Sequence, residues 1–455
     1  MRPRHVDSVC PPKVSLLAVV REAGWGANRE DNKLRPEDRA AHDWYRFVLS
    51  FPPHLIRKYA ERFGLSPGAT VLDPFCGTGT TLVECKKLGM ASIGIERNPM
   101  AWFASRVKVS WKIDPDALMS HAMEVAADAV GQLESEGLSD ESTLPLFSSH
   151  RPDHLKLREL NADSHGLLLR DSISPLPLHK TLVLIESLGR HRSAELSDHE
   201  ILALARAIVS DISNLHFGPE VGVGPPKTDA AVVSSWLNCV RTMAADLRRL
   251  KNLADTRSTV YLADAREVTA TVAPAVVDAV ITSPPYPNEK DYTRTTRLES
   301  VILGFLKDKR ELRSLKQQLV RSNTRSVYKR DDDDRVIAQN AEIRELAEEI
   351  ERRRIQLGKT SGFERMYARV TRLYFGGMAR HLGELRNVLK PGARLAYVVG
   401  DQSSYLRVMI RTGRLLADLA KSLGYAVEGV DLFRTRFATA TGESLREEVV
   451  LLRWD

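Results

Sequence analysis

Ala69-Thr70-Val71-Leu72-Asp73-Pro74-Phe75-Cys76-Gly77-Thr78-Gly79-Thr80-Thr81 is the stretch that decides the fold. A short apolar strand, Ala69 to Leu72, leaves the turn Ser66-Pro67-Gly68. A loop of small residues follows, then a helix, Leu82 to Leu88, closed by Gly89. The next strand, Ala91 to Ile95, ends at Glu96. This is a βαβ unit. Gly77 and Gly79 let a ligand approach the backbone, and the helix start offers N–H groups. The dinucleotide pattern G-x-G-x-x-G fails, because Leu82 stands where the third glycine belongs. A phosphate-cradling Gly-Lys-Ser/Thr is absent. Asp73 at a strand end suits an ammonium better than phosphates, and Glu96 suits ribose hydroxyls. A ligand with an amino-acid end and a ribose is S-adenosyl-L-methionine. The plainer alternative is that Asp73 caps the helix and Glu96 is a solvated strand end.

A second stretch, Asp278-Ala279-Val280-Ile281-Thr282-Ser283-Pro284-Pro285-Tyr286, reads as a buried strand that stops at two prolines. Ligands in open α/β sheets bind at the carboxyl ends of strands. A hydroxyl, a proline carbonyl and an aromatic ring are presented there together, which suits a flat, nitrogen-bearing substrate. A rigid turn after a strand is the plainer reading.

Around these stretches the chain divides into five segments. Residues 1–113 hold an N-terminal segment and the cofactor loop; residues 254–304 hold the proline loop. Residues 114–253 are mainly helical in pattern and read as an insertion, a candidate for DNA recognition. In it, Ser197-Asp198-His199-Glu200 reads as a capping box, with His199 at the surface and Trp236 in an apolar stripe. Residues 305–360 are highly charged and read as a protruding helical hairpin. Residues 361–455 return to the core, with a helix from Tyr374 to Leu389 and strands at Leu395–Val399 and Val449–Leu452. The loop Phe217-Gly218-Pro219-Glu220 and the stretches before Ala40 read as irregular.

The chain of 455 residues carries a formal net charge of +7, compatible with a polyanionic partner. Cys10, Cys76, Cys85 and Cys239 form no C-x-x-C pair. That argues against a zinc site, or any metal, and against a disulfide framework, and fits a reducing cytoplasm. The N-terminus shows no signal peptide, and no apolar run is long enough to span a bilayer.

Asp73 to Thr81 together with Thr282-Ser283-Pro284-Pro285-Tyr286 resembles the amino-methylating (cytosine-N4/adenine-N6) DNA methyltransferases. The first residue, Ser283, looks most like the cytosine-N4 type; adenine-N6 enzymes more often carry Asp or Asn there. The resemblance covers about residues 41–100, 259–298 and, more weakly, 374–455. It implies a class I S-adenosylmethionine-dependent methyltransferase fold: a Rossmann-like, doubly wound α/β sheet with large helical insertions. It implies a cofactor site of Asp73, Pro74, Phe75, Gly77, Thr78, Gly79 and Glu96, with Asp264 on the adenine amino group. Ser50 and Phe51 match more loosely the element that closes over the cofactor. Ser283, Pro284, Pro285 and Tyr286 would be catalytic, with Tyr286 stacking on a base flipped out of the duplex. Lys290, Arg294 and Arg297, just after the loop, are candidates for DNA contact, ahead of the basic stretch Lys307 to Arg330.

The expected partner is double-stranded DNA, with a restriction endonuclease encoded nearby, and the expected place is the cytoplasm, by the nucleoid of a bacterium or archaeon. The Pro-Cys loop of ring-carbon methylases is absent. Adenine-N6, an RNA base or a glutamine amide would fit the same loop. A silent binding module and a dinucleotide oxidoreductase remain as rivals from other classes. The sequence leaves monomer or dimer open.

Overall fold

The computed structural model describes residues 34–46, 50–140, 156–217, 221–288, 290–403, 405–438 and 443–455. The N-terminal stretches, Cys10 and Gly218 to Glu220 lie outside them.

Seven strands form one sheet: β1 (Thr70–Asp73), β2 (Ala91–Glu96), β3 (Ser258–Leu262), β4 (Val277–Thr282), β5 (Leu389–Gly400), β6 (Ala426–Ala438) and β7 (Glu443–Arg453). Their spatial order is β3-β2-β1-β4-β5-β7-β6. β1 to β5 run parallel; β7 lies antiparallel to both β5 and β6. Successive residues alternate between two apolar cores. Val71, Ile281, Val398 and Leu451 face the helix α1 (Pro53–Arg62) through Leu55, Ile56 and Tyr59. Leu72, Val280, Val399 and Leu452 face Tyr374 and Phe375 on the helix α4 (Tyr367–Leu385). A sheet buried on both faces is why these strands read as apolar runs rather than alternating ones. Each such side chain contributes roughly 1.5–3 kcal/mol by leaving water.

Strand order reverses between β1 and β4. The crevice at that reversal, outside the carboxyl ends of parallel strands, is where an open sheet presents a ligand site. The cofactor loop, Glu96, Asp264 and the proline loop all leave the sheet on this edge.

Long helices at Pro115–Ser135, Pro175–Arg190, Ser197–Ala207 and Val232–Leu250 share an apolar core with α2 (Thr80–Lys87) and α3 (Pro99–Lys108). Trp236 is fully buried there and donates its indole N–H to the Glu200 carbonyl at 2.9 Å. Among the described residues no helix is long and apolar enough to cross a membrane.

Local expectations are corrected at several points. Ser197 and Glu200 form no capping box: Glu200 is buried against His121 Nδ1 at 2.7 Å, and Ser197 Oγ accepts from the Ser193 N–H. His199 is buried, not superficial. Its Nε2–H donates to the Ser110 carbonyl at 3.0 Å and its ring meets Trp44 edge-on, partners remote in sequence. Residues 305–360 do not protrude as a hairpin. After the helix Lys309–Gln317, the chain from Gln318 to Ser326 lies along the crevice, and the helix Ala341–Gln356 packs through Ile343 and Ile350 against α4's core. The α4 helix begins at Tyr367 and ends at Leu385. The helix Thr412–Ser422 and strand β6 were not legible at all.

Candidate active site

Asp73 ends β1 with its carboxylate buried. Its Oδ1 accepts the Thr282 hydroxyl at 2.6 Å and the Phe75 N–H at 3.1 Å. Its Oδ2 is buried and has no hydrogen-bond partner among the described residues. Burial pushes this carboxyl up to about 6. Glu96 is a second recessed carboxylate. Gly77 N–H donates to its Oε2 at 2.9 Å and Asn98 N–H to its Oε1 at 2.7 Å, and burial pushes it up to about 7.

The turn between them needs both glycines for different reasons. Gly77 (φ 51°) has open space where a side chain would stand and lines the crevice. Gly79 (φ 85°) faces the other way; a Cβ there would lie 3.0 Å from Ser105 Cβ on α3. It permits helix packing and does not line the site. Asp73 also lies just beneath the lining. The other cofactor candidates, Phe51, Pro74, Phe75, Thr78 and Asp264, line the crevice, as does Ser50. Phe75 is met edge-on by His381, whose ring is fixed between the Ala265 carbonyl and the Tyr397 hydroxyl. The carboxylate of Asp264 is engaged by Arg266, which bridges to Asp333 at 2.7 Å.

Ser283, Pro284, Pro285 and Tyr286 line the same crevice, whose volume is about 550 Å³. Ser283 Oγ lies 3.0 Å from the Val398 carbonyl oxygen. A carbonyl only accepts, so the hydroxyl donates to Val398 and its oxygen is left as an acceptor, with the Tyr286 phenol also in hydrogen-bond range. Tyr286 lies against Gly400; a Cβ at that glycine would come within 3.1 Å of the ring. Burial and then the nearby Glu447 carboxylate raise its phenol.

The basic candidates separate. Lys290 lines the crevice. Arg294 and Arg297 are half-buried and do not reach it; Arg297 donates to the Thr293 carbonyl at 3.1 Å and hydroxyl at 2.7 Å. Residues missed in the sequence also line the site: Arg97 and Gln318, which hydrogen-bond each other, and Leu319, Gln402, Arg436 and Glu447. For Arg97, Gln402, Arg436 and Glu447 the one sequence signal is position, just after or within strands that end at this edge; Gln318 and Leu319 follow the helix Lys309–Gln317 and carry no such signal. Among the described residues no group of three or more His, Cys, Asp or Glu is placed to hold a metal ion.

A family model described as "DNA methylase" matches residues 23–102, the span of the cofactor loop and Glu96. The type II methyltransferase M.BsoBI of Geobacillus stearothermophilus is 26% identical over 418 residues, 86% of this chain and 79% of the relative. Together these matches support an amino-methyltransferase family for the chain. The type II methyltransferase M.AvaI of Nostoc sp. is 22% identical over 88% of this chain and 81% of its own length. The solved rRNA methyltransferase AviRa of Streptomyces viridochromogenes aligns with 92% of this chain and 94% of its own at 10% identity and a TM-score of 0.32. The fold assignment therefore rests on the strand order: a mixed sheet of the class I S-adenosylmethionine-dependent methyltransferases. The family's methyl donor is S-adenosyl-L-methionine. The crevice fits it, because a recess with two carboxylates and unpartnered buried atoms at Asp73 Oδ2 and Thr78 Oγ1 suits a cationic ligand with polar groups.

Proposed function

We propose that this amino-methyltransferase acts on duplex DNA and methylates the exocyclic N4 of cytosine at a specific sequence, as the modification part of a restriction-modification system. The observation that carries the choice of base is Ser283. It heads Ser-Pro-Pro-Tyr, and its hydroxyl proton is held by the Val398 carbonyl, so it meets an amino group as an acceptor.

S-adenosyl-L-methionine, when bound, supplies an electrophilic methyl group. Asp73 and Glu96 would hold its ammonium and ribose ends, Phe75, Gly77 and Thr78 its methionine portion, and Asp264 its adenine amino group. The exocyclic nitrogen of cytosine is a poor nucleophile, because its lone pair is delocalised into the ring. Ser283 Oγ and the Pro284 carbonyl accept its two protons and draw it toward tetrahedral geometry. The lone pair is then aimed at the methyl group, and positioning supplies most of the acceleration. The same two acceptors stabilise positive charge as it develops on nitrogen. The product ammonium is acidic enough to lose its proton without a dedicated base. A base inside a duplex must be flipped out to reach this edge, with Tyr286 beside it. Lys290 at the crevice and the net charge of +7 favour a polyanion. Such an enzyme works where the chromosome is, in the cytoplasm.

The acceptor class is tested by incubating the protein with methyl-labelled cofactor and, in parallel, duplex DNA, RNA and protein. Label is expected in DNA alone. Label in RNA or protein and none in DNA would overturn the proposal.

A further inference from the structure

The proline loop divides the crevice into two halves. On one side stand the ends of β1, β2 and β3, which carry every cofactor candidate of the βαβ unit. On the other stand the end of β5 and the β6–β7 pair, contributing Gln402, Phe433, Arg434, Arg436, Leu445 and Glu447. A methyl donor seated over Gly77 and Glu96 would lie on the first half. The second is the half left for the acceptor.

Its chemistry is specific. Glu447 is 7% exposed; its carboxylate accepts a hydrogen bond from the Nε of Arg434 and forms an ion pair with Arg436, whose Nε lies 2.7 Å away without hydrogen-bond geometry. The ion pair keeps the planar Arg436 guanidinium beside Glu447, with its terminal nitrogens left as donors. The Tyr286 ring and Glu447 flank the same glycine: a Cβ at Gly400 would sit 3.1 Å from the ring and 3.4 Å from Glu447 Cγ. Arg436 is also near enough to Tyr286 for its charge to act on the phenol. Phe433 and Leu445 supply apolar surface beside this polar edge.

We propose that Arg436 reads the target base, donating from its guanidinium to N3 and O2 of a flipped cytosine. The proposal rests on the cytosine-N4 reading above. Along cytosine's pairing edge the amino group, N3 and O2 stand in a row. In the duplex, guanine accepts from the amino group and donates to N3 and O2 through its own guanidine moiety. In the crevice, Ser283 Oγ and the Pro284 carbonyl replace the acceptor, and Arg436 replaces the paired donors. Adenine offers N1 beside its amino group and then a C–H, so it satisfies half of the fork and leaves one donor facing the base unpaired. Arg436 is therefore a specificity-determining residue. Glu447 is a positioning residue that aims it.

The test is a four-way comparison of kcat/KM, using a duplex whose methylated site has been mapped from the wild-type product. The target cytosine is present as such or replaced by 3-deazacytosine, which lacks the N3 acceptor. Wild type is expected to lose roughly ten- to hundredfold on the analogue. Arg436→Met is expected to lose a similar factor on cytosine and little more on the analogue. Any intrinsic effect of the analogue on amino-group reactivity cancels in the cycle. Arg436→Lys, which keeps the charge beside Glu447, is expected to show the same loss of coupling, and calorimetric cofactor affinity reports that each variant is folded. Equal penalties for wild type and variants on the analogue would overturn the proposal, as would an unimpaired Arg436→Met. A wild-type product of N6-methyladenine overturns the cytosine reading itself, and is told apart by the identity of the methylated nucleoside.

Discussion

At the residue scale, the two recessed carboxyls set how the site responds to pH. Burial raises Asp73 to about 6 and Glu96 to about 7, so the ligand-free protein keeps their protons into that range. A cationic cofactor binds the ionised forms better. Calorimetry should show affinity rising with pH across about 5 to 7.5 and levelling above, and Asp73→Asn should weaken binding and remove the lower part of the rise. Flat affinity in both proteins would count against the ammonium contact. For stability the sign is reversed: carboxyls raised on folding stabilise the ligand-free protein at low pH, and that contribution is lost as pH rises through 6 and 7. Ser283→Ala removes an acceptor while leaving the cofactor half intact. Transfer should fall on the order of a hundredfold, with cofactor affinity unchanged; equal loss of both would sink the assigned role. Ser283, Pro284 and Tyr286 were legible because a proline pair after an apolar run needs a strand end. Arg436 and Glu447 were not, because only the pairing of β7 with β5, and of β6 with β7, brings them beside Tyr286.

At the element scale, the stretch from Lys316 to Asp331 shows why charge composition misleads. Its basic residues belong to the stretch Lys307 to Arg330 that reads as a candidate for DNA contact, yet Arg321 is 3% exposed. It donates to the carbonyls of Lys316, Gln317 and Leu319 and forms a two-point pair with Asp331 at 2.8 and 2.9 Å. One side chain thereby folds a loop that places Gln318 and Leu319 over the crevice. Nothing local marks Arg321 among its charged neighbours; its partner lies ten residues on. Arg321→Met leaves Asp331 with only the Tyr328 N–H and leaves carbonyls without the donor that Arg321 supplies, and should destabilise by about 3–5 kcal/mol in denaturant titrations. Cofactor affinity should fall with it, through the disordered loop. A stable variant with normal affinity would show that the loop is held by something else.

At the scale of the whole molecule, the helices between Pro115 and Leu250 are part of the cofactor half's support. Their core includes Leu82 and Val83 on α2 and Met100 and Phe103 on α3, the helices that follow the cofactor turn and Glu96. Trp236→Ala should therefore cost about 3–5 kcal/mol and lower cofactor affinity too, although Trp236 does not line the crevice. Two separate unfolding transitions, with affinity preserved, would contradict that coupling. The fold was legible in the βαβ unit and the proline loop, since period and turn chemistry are local properties. How the helical region joins the sheet was not, because it depends on contacts such as Trp44 Nε1 to Asp246, 202 residues apart. The proposed acceptor is a cytosine amino group. It is tested most directly by incubating duplex DNA with labelled cofactor, digesting to nucleosides and identifying the labelled one by mass spectrometry. N4-methylcytosine is the predicted product; N6-methyladenine, 5-methylcytosine or unlabelled DNA would contradict it.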